Sequence, residues 1–271
     1  MEDETPRAST WIDETKPSVA RMYDYLLGGK DHYEADRQLV KAVEQMVPNI
    51  EQFARVNRQF MMRAVRWCAT TGGVTQFLDC GSGLPTAQNV HQVAARYQGE
   101  AKVVYVDHDP IVAAHGRAIL SENDRTHFVQ ADFREPEALL ANPTVRTELD
   151  WSKPICLVHG FTLHHIDNPV DVMATLVAAL PPGSFVVLSH VHRPDGSAEH
   201  ANLVDRIHER AREGGLHVWF RSRAEIEALF AGLEVMEPGV VRLVDWWPAG
   251  PQELVEPWDQ LSLGGLGRKP E

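Results

Sequence analysis

The stretch from Phe77 to Thr86, FLDCGSGLPT, decides the fold predicted for this chain. It begins with residues suited to a buried strand, reaches an acid at Asp79, and then turns at two glycines, Gly81 and Gly83, that flank a serine. An acid followed by glycines at the mouth of a strand is typical of a doubly wound sheet, in which ligands bind beyond the carboxyl ends of the strands. The neighbouring sequence is therefore expected to supply further strands and the helices between them.

Strand-like and helical runs alternate after residue 73. Predicted strands cover residues 74–80, 102–107, 126–132, 154–160 and 184–191, and predicted helices cover residues 88–97, 111–120, 136–141 and 169–180. Continuous apolar strands separated by helices indicate a parallel sheet covered on both faces, so the fold class is α/β and doubly wound. Two β-rich runs within residues 232–247 predict an antiparallel pair at the sheet edge. The residues from Pro248 onward show no periodicity and predict a loop or a closing strap.

Helical periodicity runs through the residues before 74 and predicts three amphipathic helices. We expect these helices to form an N-terminal cap over residues 16–73, and residues 74–271 to form one compact main domain. The first helix carries Tyr23 on its apolar stripe and ends at Gly28 and Gly29. The polar turn after these glycines is predicted to fold over a bound ligand. For Tyr23, simple packing is the alternative.

Composition narrows the class of protein and of partner. The chain has 271 residues, of which 44% are hydrophobic and 24% are charged, which is typical of a globular protein. A formal net charge of −12 argues against a nucleic-acid partner, because phosphate binding relies on Lys and Arg. No apolar run approaches the ~20 residues of a membrane span. The three cysteines lie in apolar stretches without metal-ligand spacing, which predicts reduced core residues in a cytoplasmic protein.

The glycine turn indicates a ligand that is an amino acid at one end. Glycines without Cβ atoms let the backbone approach a ligand, and a helix expected to begin near Gln88 offers unpaired N–H groups to an anionic group. Asp79 can accept a hydrogen bond from an ammonium group. The dinucleotide fingerprint requires a third glycine where this chain has Thr86, which favours S-adenosylmethionine over a nicotinamide dinucleotide.

The next two strands end in acids that suit a nucleoside. Asp107 lies 24 residues beyond Gly83, the distance at which an acid on the second strand meets the two ribose hydroxyls, although a water-facing acid is the alternative. His108 follows and can contact the edge of the adenine ring. Asp132 can accept from the adenine amino group, or cap the next helix, and Phe133 can cover the ring face.

The predicted fourth strand is followed by histidines. His159 ends the strand, and His164 and His165 come just after it, where an acceptor can meet the methyl group. His164 or His165 is the candidate catalytic base, with local hydrogen bonding as the alternative. Arg58, in the third helix, can reach the cofactor carboxylate or face solvent. The histidines lack metal-site spacing, so we expect no catalytic metal.

Several segments together resemble the actinobacterial S-adenosyl methyltransferase family, a branch of the class I S-adenosylmethionine-dependent methyltransferases first catalogued as a domain of unknown function. They are ARMYDYLLGGKDHYEADR, FLDCGSGLPTAQNVHQVA, VVYVDHDPIV, HGFTLHHI, RSRAEIEALFAGLEVMEPGVV and GGLGRKP, and they span residues 17–270. The resemblance implies a Rossmann-like, mostly parallel seven-stranded sheet and an S-adenosylmethionine cofactor. The candidate cofactor-binding residues are Tyr23, Gly29, Arg58, Asp79, Gly81, Ser82, Gly83, Asp107, His108, Asp132, Phe133 and His159.

The expected function is methyl transfer to a small molecule, at oxygen or nitrogen. A sensor that binds the cofactor or its product without catalysis is the alternative, and an NAD(P)-dependent oxidoreductase is the third reading. The sequence leaves the acceptor open, and it also leaves open whether the protein is a monomer or a homodimer.

Overall fold

The computed structural model describes residues 12–86, 88–120, 124–247 and 257–271. Within these residues the chain forms one sheet of eight strands with helices on both faces. The strands are β1 (Gln76–Cys80), β2 (Lys102–Asp107), β3 (Thr126–Gln130), β4 (Cys156–Gly160), β5 (Phe185–Val191), β6 (Glu234–Val235), β7 (Val241–Arg242) and β8 (Ser262–Arg268). The helices are α1 (Val19–Leu26), α2 (Glu34–Glu44), α3 (Ile50–Thr70), α4 (Val90–Tyr97), α5 (Pro110–Leu120), α6 (Pro136–Ala141), α7 (Pro143–Glu148), α8 (Pro169–Ala179), α9 (Ala198–Glu213) and α10 (Arg223–Ala228).

The parallel part of the sheet follows the predicted pattern. Strands β1 to β5 pair in the order β3-β2-β1-β4-β5, all parallel, which confirms the doubly wound α/β prediction. Asp79 in β1 lies opposite Tyr105 in β2, and Asp107 in β2 lies opposite Gln130 in β3. The order reverses at β1, so the carboxyl ends of β1, β2 and β4 surround the point where ligands bind in such sheets.

The antiparallel part differs from the prediction. The sheet has eight strands instead of seven, and β6 and β7 pair with β8 rather than with each other. Strand β8, in the tail predicted to be a loop or strap, lies between β5 and β6 and pairs with all of β5. The sequence of β8 shows no alternation of apolar and polar side chains because several of its positions are glycines. Neighbouring side chains occupy the space there: a Cβ at Gly264 would lie 2.6 Å from Leu243 Cδ2. Residues 248–256, also in that tail, lie outside the described residues.

Both faces of the sheet are covered, as continuous apolar strands require. Alternate residues of β1 show the arrangement: Leu78 packs in a cluster with α8 and α10, and Phe77 packs in a cluster with α3 and α4. The three cysteines, Cys68, Cys80 and Cys156, are buried and free, as predicted. No helix in the described part of the chain has the length and apolar character needed to cross a membrane.

A buried ion pair holds the first two helices together. Arg21 Nε donates to Asp36 Oδ2 at 2.9 Å, and the same carboxylate accepts from the backbone N–H groups of Ser18 and Tyr33. Asp36 is fully buried, so its charge is compensated inside the protein. These bonds hold residues 17–20, which lead into α1 and form its first turn, over the carboxyl ends of the strands. The division into a cap over residues 16–73 and a main domain stays a prediction, and α3 packs directly on the sheet.

Candidate functional site

A cavity of about 350 Å³ opens at the carboxyl ends of β1 to β4, beneath the start of α1 and beside α3. The order of the strands divides its wall into two parts. The acidic half comprises Arg58, Asp79, Asp107, Asp109, Asp132 and Arg134, which come from α3 and from the ends of β1, β2 and β3 or the residues just after them. The neutral half comprises Met61, Phe161, Thr162, His165, Ile166 and Leu216, which lie beside or beyond the end of β4.

The glycine turn forms the floor between the two halves. The backbone N–H groups of Gly81 and Ser82 donate to the carbonyl of Val106 at 2.8 and 3.1 Å, and that of Gly83 donates to Asp107 Oδ2 at 2.9 Å. The backbone N–H groups of Gly81, Ser82 and Gly83 are therefore all bound within the protein.

The two glycines serve different purposes. Both have positive φ, 73° at Gly81 and 65° at Gly83, a region that favours glycine. A Cβ at Gly81 would lie 2.4 Å from Thr162 Cγ2, so Gly81 is required by packing within the protein. A Cβ at Gly83 meets nothing within 4 Å, so only Gly83 offers the open approach that we predicted for both.

Helix α4 does not supply an anion site. It begins at Val90, two residues later than predicted, and none of its residues, all of which the structure describes, lines the cavity. The backbone N–H of Asn89 donates to Gln92 Oε1, and that of His91 donates to the hydroxyl of Tyr105. The N-terminal amides of the helix are thus partly satisfied, and the predicted role of its dipole is not supported.

Asp79 places a carboxyl group in a buried position near the end of β1. It is 7% exposed, lines the cavity, and accepts no hydrogen bond from the described residues. Burial raises the pKa of Asp79 to about 7; the positive charge of Arg58 opposes this shift, and Asp107 adds to it. A cation placed in the cavity would restore the charged form of Asp79, because an opposite charge favours ionisation.

The cavity wall, as far as the structure describes it, contains two arginines, Arg134, which is bound to Asp132, and Arg58. The guanidinium of Arg58 donates to the hydroxyl of Thr86 at 2.8 Å and to the carbonyl of Gln88. It pairs with no carboxylate in the part of the chain that the structure describes. Arg58 lines the cavity, so its charge is available to an anionic group there, and its contact with the cofactor carboxylate stays a prediction.

Asp107 organises the turn and retains acceptor capacity. Its Oδ2 accepts from Gly83 and its Oδ1 accepts from the backbone of Asp109 at 3.0 Å, while burial raises its pKa. A carboxylate has about four lone-pair sites, so two remain for ligand hydroxyls. Asp107 is 6% exposed, which excludes the alternative of an acid facing bulk water.

The end of β3 brings Asp132 and Phe133 to the same cavity. Asp132 accepts from the backbone of Arg134 at 2.9 Å and from its side chain, a local turn rather than a helix cap. Burial raises the pKa of Asp132, but the bonds from Arg134 outweigh it and hold that pKa below its usual value. His108, Ser82 and Tyr23 also line the cavity.

Of the two candidate bases, only His165 lines the cavity. Its Nδ1 lies 2.9 Å from the carbonyl of His217, which can only accept, so Nδ1 carries the proton and Nε2 carries the lone pair. Burial lowers the pKa of His165 to about 4, so the ring is neutral near pH 7.

Three predicted residues lie outside the cavity wall. His164 is buried against the rings of Phe161, His165 and His190, and burial holds its pKa well below the usual value. His159 is bound to Thr162 Oγ1 through Nδ1 at 2.9 Å. Gly29 packs on Asp24 at the end of α1, where a Cβ would meet that carboxylate. His159 lies in β4, His164 follows that strand and Gly29 follows α1, as expected, but none of the three residues lines the cavity.

Phe161 is a cavity residue that the sequence did not indicate. It has φ 54°, rare for a residue other than glycine, and its backbone N–H donates to Ser189 Oγ at 3.0 Å. Ser189 in turn donates to Asn57 Oδ1 at 2.6 Å, and Asn57 Nδ2 donates to the hydroxyl of Tyr23 at 2.8 Å. This buried chain joins the sheet to α3 and α1. Only the position after β4 could have indicated Phe161.

A family model for S-adenosyl methyltransferases matches residues 5–270 of the sequence. The chain belongs to this family. It is therefore an S-adenosylmethionine-dependent methyltransferase, and the resemblance seen in the sequence is confirmed. A search of curated proteins found no match.

Solved structures agree with this assignment. A protein of Thermobifida fusca YX, named as a candidate methyltransferase, is 39% identical, with a TM-score of 0.89 over 96% of this methyltransferase and 97% of its own chain. A DUF574 family protein of Streptomyces avermitilis is 35% identical, with a TM-score of 0.88 over 95% of this chain and 99% of its own. Human N-acetylserotonin methyltransferase in complex with S-adenosylmethionine shares the fold at 13% identity, with a TM-score of 0.50 over 95% of this chain and 64% of its own.

The cavity of this methyltransferase fits its cofactor. S-adenosylmethionine carries an ammonium, a carboxylate, a ribose with two hydroxyls and an adenine. Among the described residues, the acidic half offers a buried carboxyl group without a hydrogen bond at Asp79, an arginine without a carboxylate partner at Arg58, and spare lone pairs at Asp107. The ammonium, the carboxylate and the ribose hydroxyls of the cofactor thus have complementary groups in the wall.

Proposed function

We propose that this methyltransferase acts on a small molecule, at oxygen or nitrogen, with S-adenosylmethionine held in the acidic half of the cavity. The observation that carries the proposal is the cavity itself, in which buried carboxyl groups on β1 and β2 adjoin an uncharged wall on β4. The volume of the cavity, about 350 Å³, lies within the range of small-molecule pockets.

We assign the cofactor contacts by charge and position. Asp79 pairs with the ammonium, and Arg58 binds the carboxylate of the methionine end. Asp107 accepts from both ribose hydroxyls, which are charge-assisted bonds of about 1.5–3 kcal/mol each before losses. Asp132 and Phe133 contact the adenine. The start of α1 covers the nucleoside, because Ser18 Oγ donates to Asp109 Oδ2 at 2.5 Å across the cavity mouth.

The protein's part in the chemistry is to position the acceptor and to take its proton. When bound, the cofactor supplies a methyl group on a positively charged sulfur, which makes the carbon electrophilic. Alignment of an acceptor with that carbon is worth up to ~7–11 kcal/mol of the barrier. His165 is the group assigned to accept the proton, since its Nε2 lone pair is free and its ring lines the cavity.

Calorimetry with S-adenosylmethionine, followed by mass spectrometry of methyl transfer to a panel of small metabolites, tests the proposal. We expect binding and the transfer of one methyl group to at least one compound. Binding without transfer to any compound would favour the sensor alternative, and absence of binding would overturn the proposal.

The three cysteines are buried and form no disulfide, which supports a cytoplasmic location, where thiols stay reduced.

A further inference from the structure

The two halves of the cavity wall differ in charge, and this difference bears on the acceptor. Every aspartate and arginine that lines the cavity comes from α3 or from the ends of β1, β2 and β3 or the residues just after them. The neutral half has no such side chain among the described residues. Met61 closes it against β4, since a Cβ on Gly160 would lie 2.9 Å from Met61 Cε. A charged acceptor would have no opposite charge beside it there.

The polar atoms of the neutral half are mostly engaged within the protein. The backbone N–H of Phe161 is bound by Ser189, and that of His165 donates to the carbonyl of Thr162 at 3.1 Å. The hydroxyl of Thr162 is bound to His159. An anionic acceptor such as a carboxylate also finds no arginine or lysine among the described residues of the neutral half. Nε2 of His165 is the side-chain atom there that can accept a hydrogen bond from a hydroxyl, because Nδ1 holds the proton.

Phe161 supplies an aromatic residue to the neutral half of the cavity wall, and other aromatic side chains hold it in place. The ring of Phe161 stacks on that of Phe53 with centroids 4.4 Å apart and planes at 21°, and Phe53 contacts Trp258 at 5.3 Å. The rare backbone conformation of Phe161 is held by its bond to Ser189 and places the residue in the wall. Strained residues cluster at ligand sites, where the strain fixes geometry. A flat, apolar ring suits such a wall.

We infer that the methyl acceptor is a small, uncharged phenol, whose hydroxyl donates to Nε2 of His165 and whose ring packs beside Phe161. This inference rests on the proposed function and narrows it to oxygen. In the transfer, a lone pair of the phenol oxygen forms the bond to the methyl carbon, and the carbon–sulfur bond breaks with its electrons going to sulfur. The hydroxyl proton passes to Nε2 of His165 and from there to water. The products are an aryl methyl ether and S-adenosylhomocysteine.

The test uses the whole protein and four probes of similar size: phenol, cyclohexanol, benzylamine and benzoate. Binding of each probe to the protein saturated with S-adenosylhomocysteine is measured by ligand-observed NMR, and methylation with S-adenosylmethionine is measured by mass spectrometry. We expect phenol to bind and to be methylated at least tenfold faster than the other three. Faster methylation of benzylamine or benzoate, or no binding of phenol to the saturated protein, overturns the inference.

Two variants of Phe161 test the wall separately from the cofactor site. Phe161→Gly suits the positive φ but removes a buried ring, so circular dichroism and calorimetry with the cofactor first establish that the variant is folded. In the folded variant, KM for phenol is expected to rise at least tenfold. Phe161→Leu keeps apolar volume without a flat face and should give a smaller rise. His127→Gln, remote from the cavity, is the control. An unchanged KM for phenol in Phe161→Gly contradicts the inference. If the wild-type protein does not bind S-adenosylmethionine at all, the proposed function itself is refuted.

Discussion

The acidic and neutral halves of the cavity are built from equivalent positions, the ends of parallel strands, yet they have opposite character. In the acidic half, Asp79 and Asp107 are buried with their pKa values raised, a costly state that a bound cation and hydroxyls would relieve. In the neutral half, His165 is neutral and the backbone N–H groups of Phe161 and His165 are bound within the protein. The acidic half thus contains buried carboxyl groups whose charge a ligand would compensate, whereas the neutral half contains no such groups among the described residues.

This difference indicates a division of labour. Because the acidic half holds unsatisfied charge, substitutions there should change cofactor affinity. Because the neutral half holds a lone pair and apolar surface, substitutions there should change turnover and leave cofactor affinity alone. The following predictions test that separation, starting with the largest expected effect.

His165→Gln should lower kcat by about a hundredfold, the lower end of what general bases contribute, because the pKa of His165 is already low. Cofactor affinity should stay within twofold of the wild-type value. The measurement is steady-state kinetics with an active acceptor, accompanied by calorimetry with S-adenosylmethionine. His127→Gln serves as the matched control. A tenfold loss of cofactor affinity in His165→Gln would break the separation between the two halves.

Asp107→Ala should weaken cofactor binding by roughly tenfold to a hundredfold, which corresponds to about 1.4–2.8 kcal/mol of lost ribose contacts. The loss also frees the backbone N–H of Gly83, which Asp107 now holds. Calorimetry measures the affinity, and Asp124→Ala, an exposed acid, is the control. Equal affinity in the wild-type and Asp107→Ala proteins would remove the ribose assignment.

Asp79→Asn should weaken cofactor binding by about tenfold at pH 7.5 and much less at pH 5.5. The free carboxyl group has its pKa raised to about 7, so it is mostly protonated at pH 5.5 and must lose a proton to pair with the ammonium. Wild-type affinity should therefore rise between pH 5.5 and 7.5, with proton release on binding. Calorimetry in buffers of different ionisation enthalpy measures both. A flat pH profile in the wild-type protein would contradict the assignment of Asp79.

The same variant should stabilise the unliganded protein, by roughly 2–4 °C in Tm for each kcal/mol gained. A carboxyl group with a raised pKa in the folded state destabilises that state once the pH exceeds the pKa of the unfolded chain, and the penalty is fully present above about pH 7. The gain in Asp79→Asn should thus be present at pH 8 and vanish near pH 4. Calorimetric melting without cofactor measures it, with Asp124→Asn as the control. A lower Tm at pH 8 would show that Asp79 already has a stabilising partner.

The acidic half could be predicted from sequence because its signals are local. Asp79 and Asp107 lie at the ends of recognisable strands and Gly83 follows one of them, and parallel strands bring their ends together. The hydrogen bond that holds the backbone N–H of Gly81 could not be predicted, since its acceptor, the carbonyl of Val106, is 25 residues away in the chain.

The neutral half and the antiparallel edge were harder to predict for physical reasons. The strain at Phe161 depends on Ser189, a partner from another strand, and no local pattern records it. His164 and His165 are adjacent in sequence, and only the backbone path of the turn after β4 decides which one lines the cavity. In β8, glycines replaced the side chains that would have shown alternation, because other residues occupy their space.

A crystal structure of the protein with S-adenosylhomocysteine would test the central claim most directly. The account predicts that the ribose hydroxyls lie within hydrogen-bond distance of Asp107, that the amino group lies beside Asp79, and that the sulfur points to the neutral half. Ligand density elsewhere on the molecule, or a ribose turned away from Asp107, would contradict it.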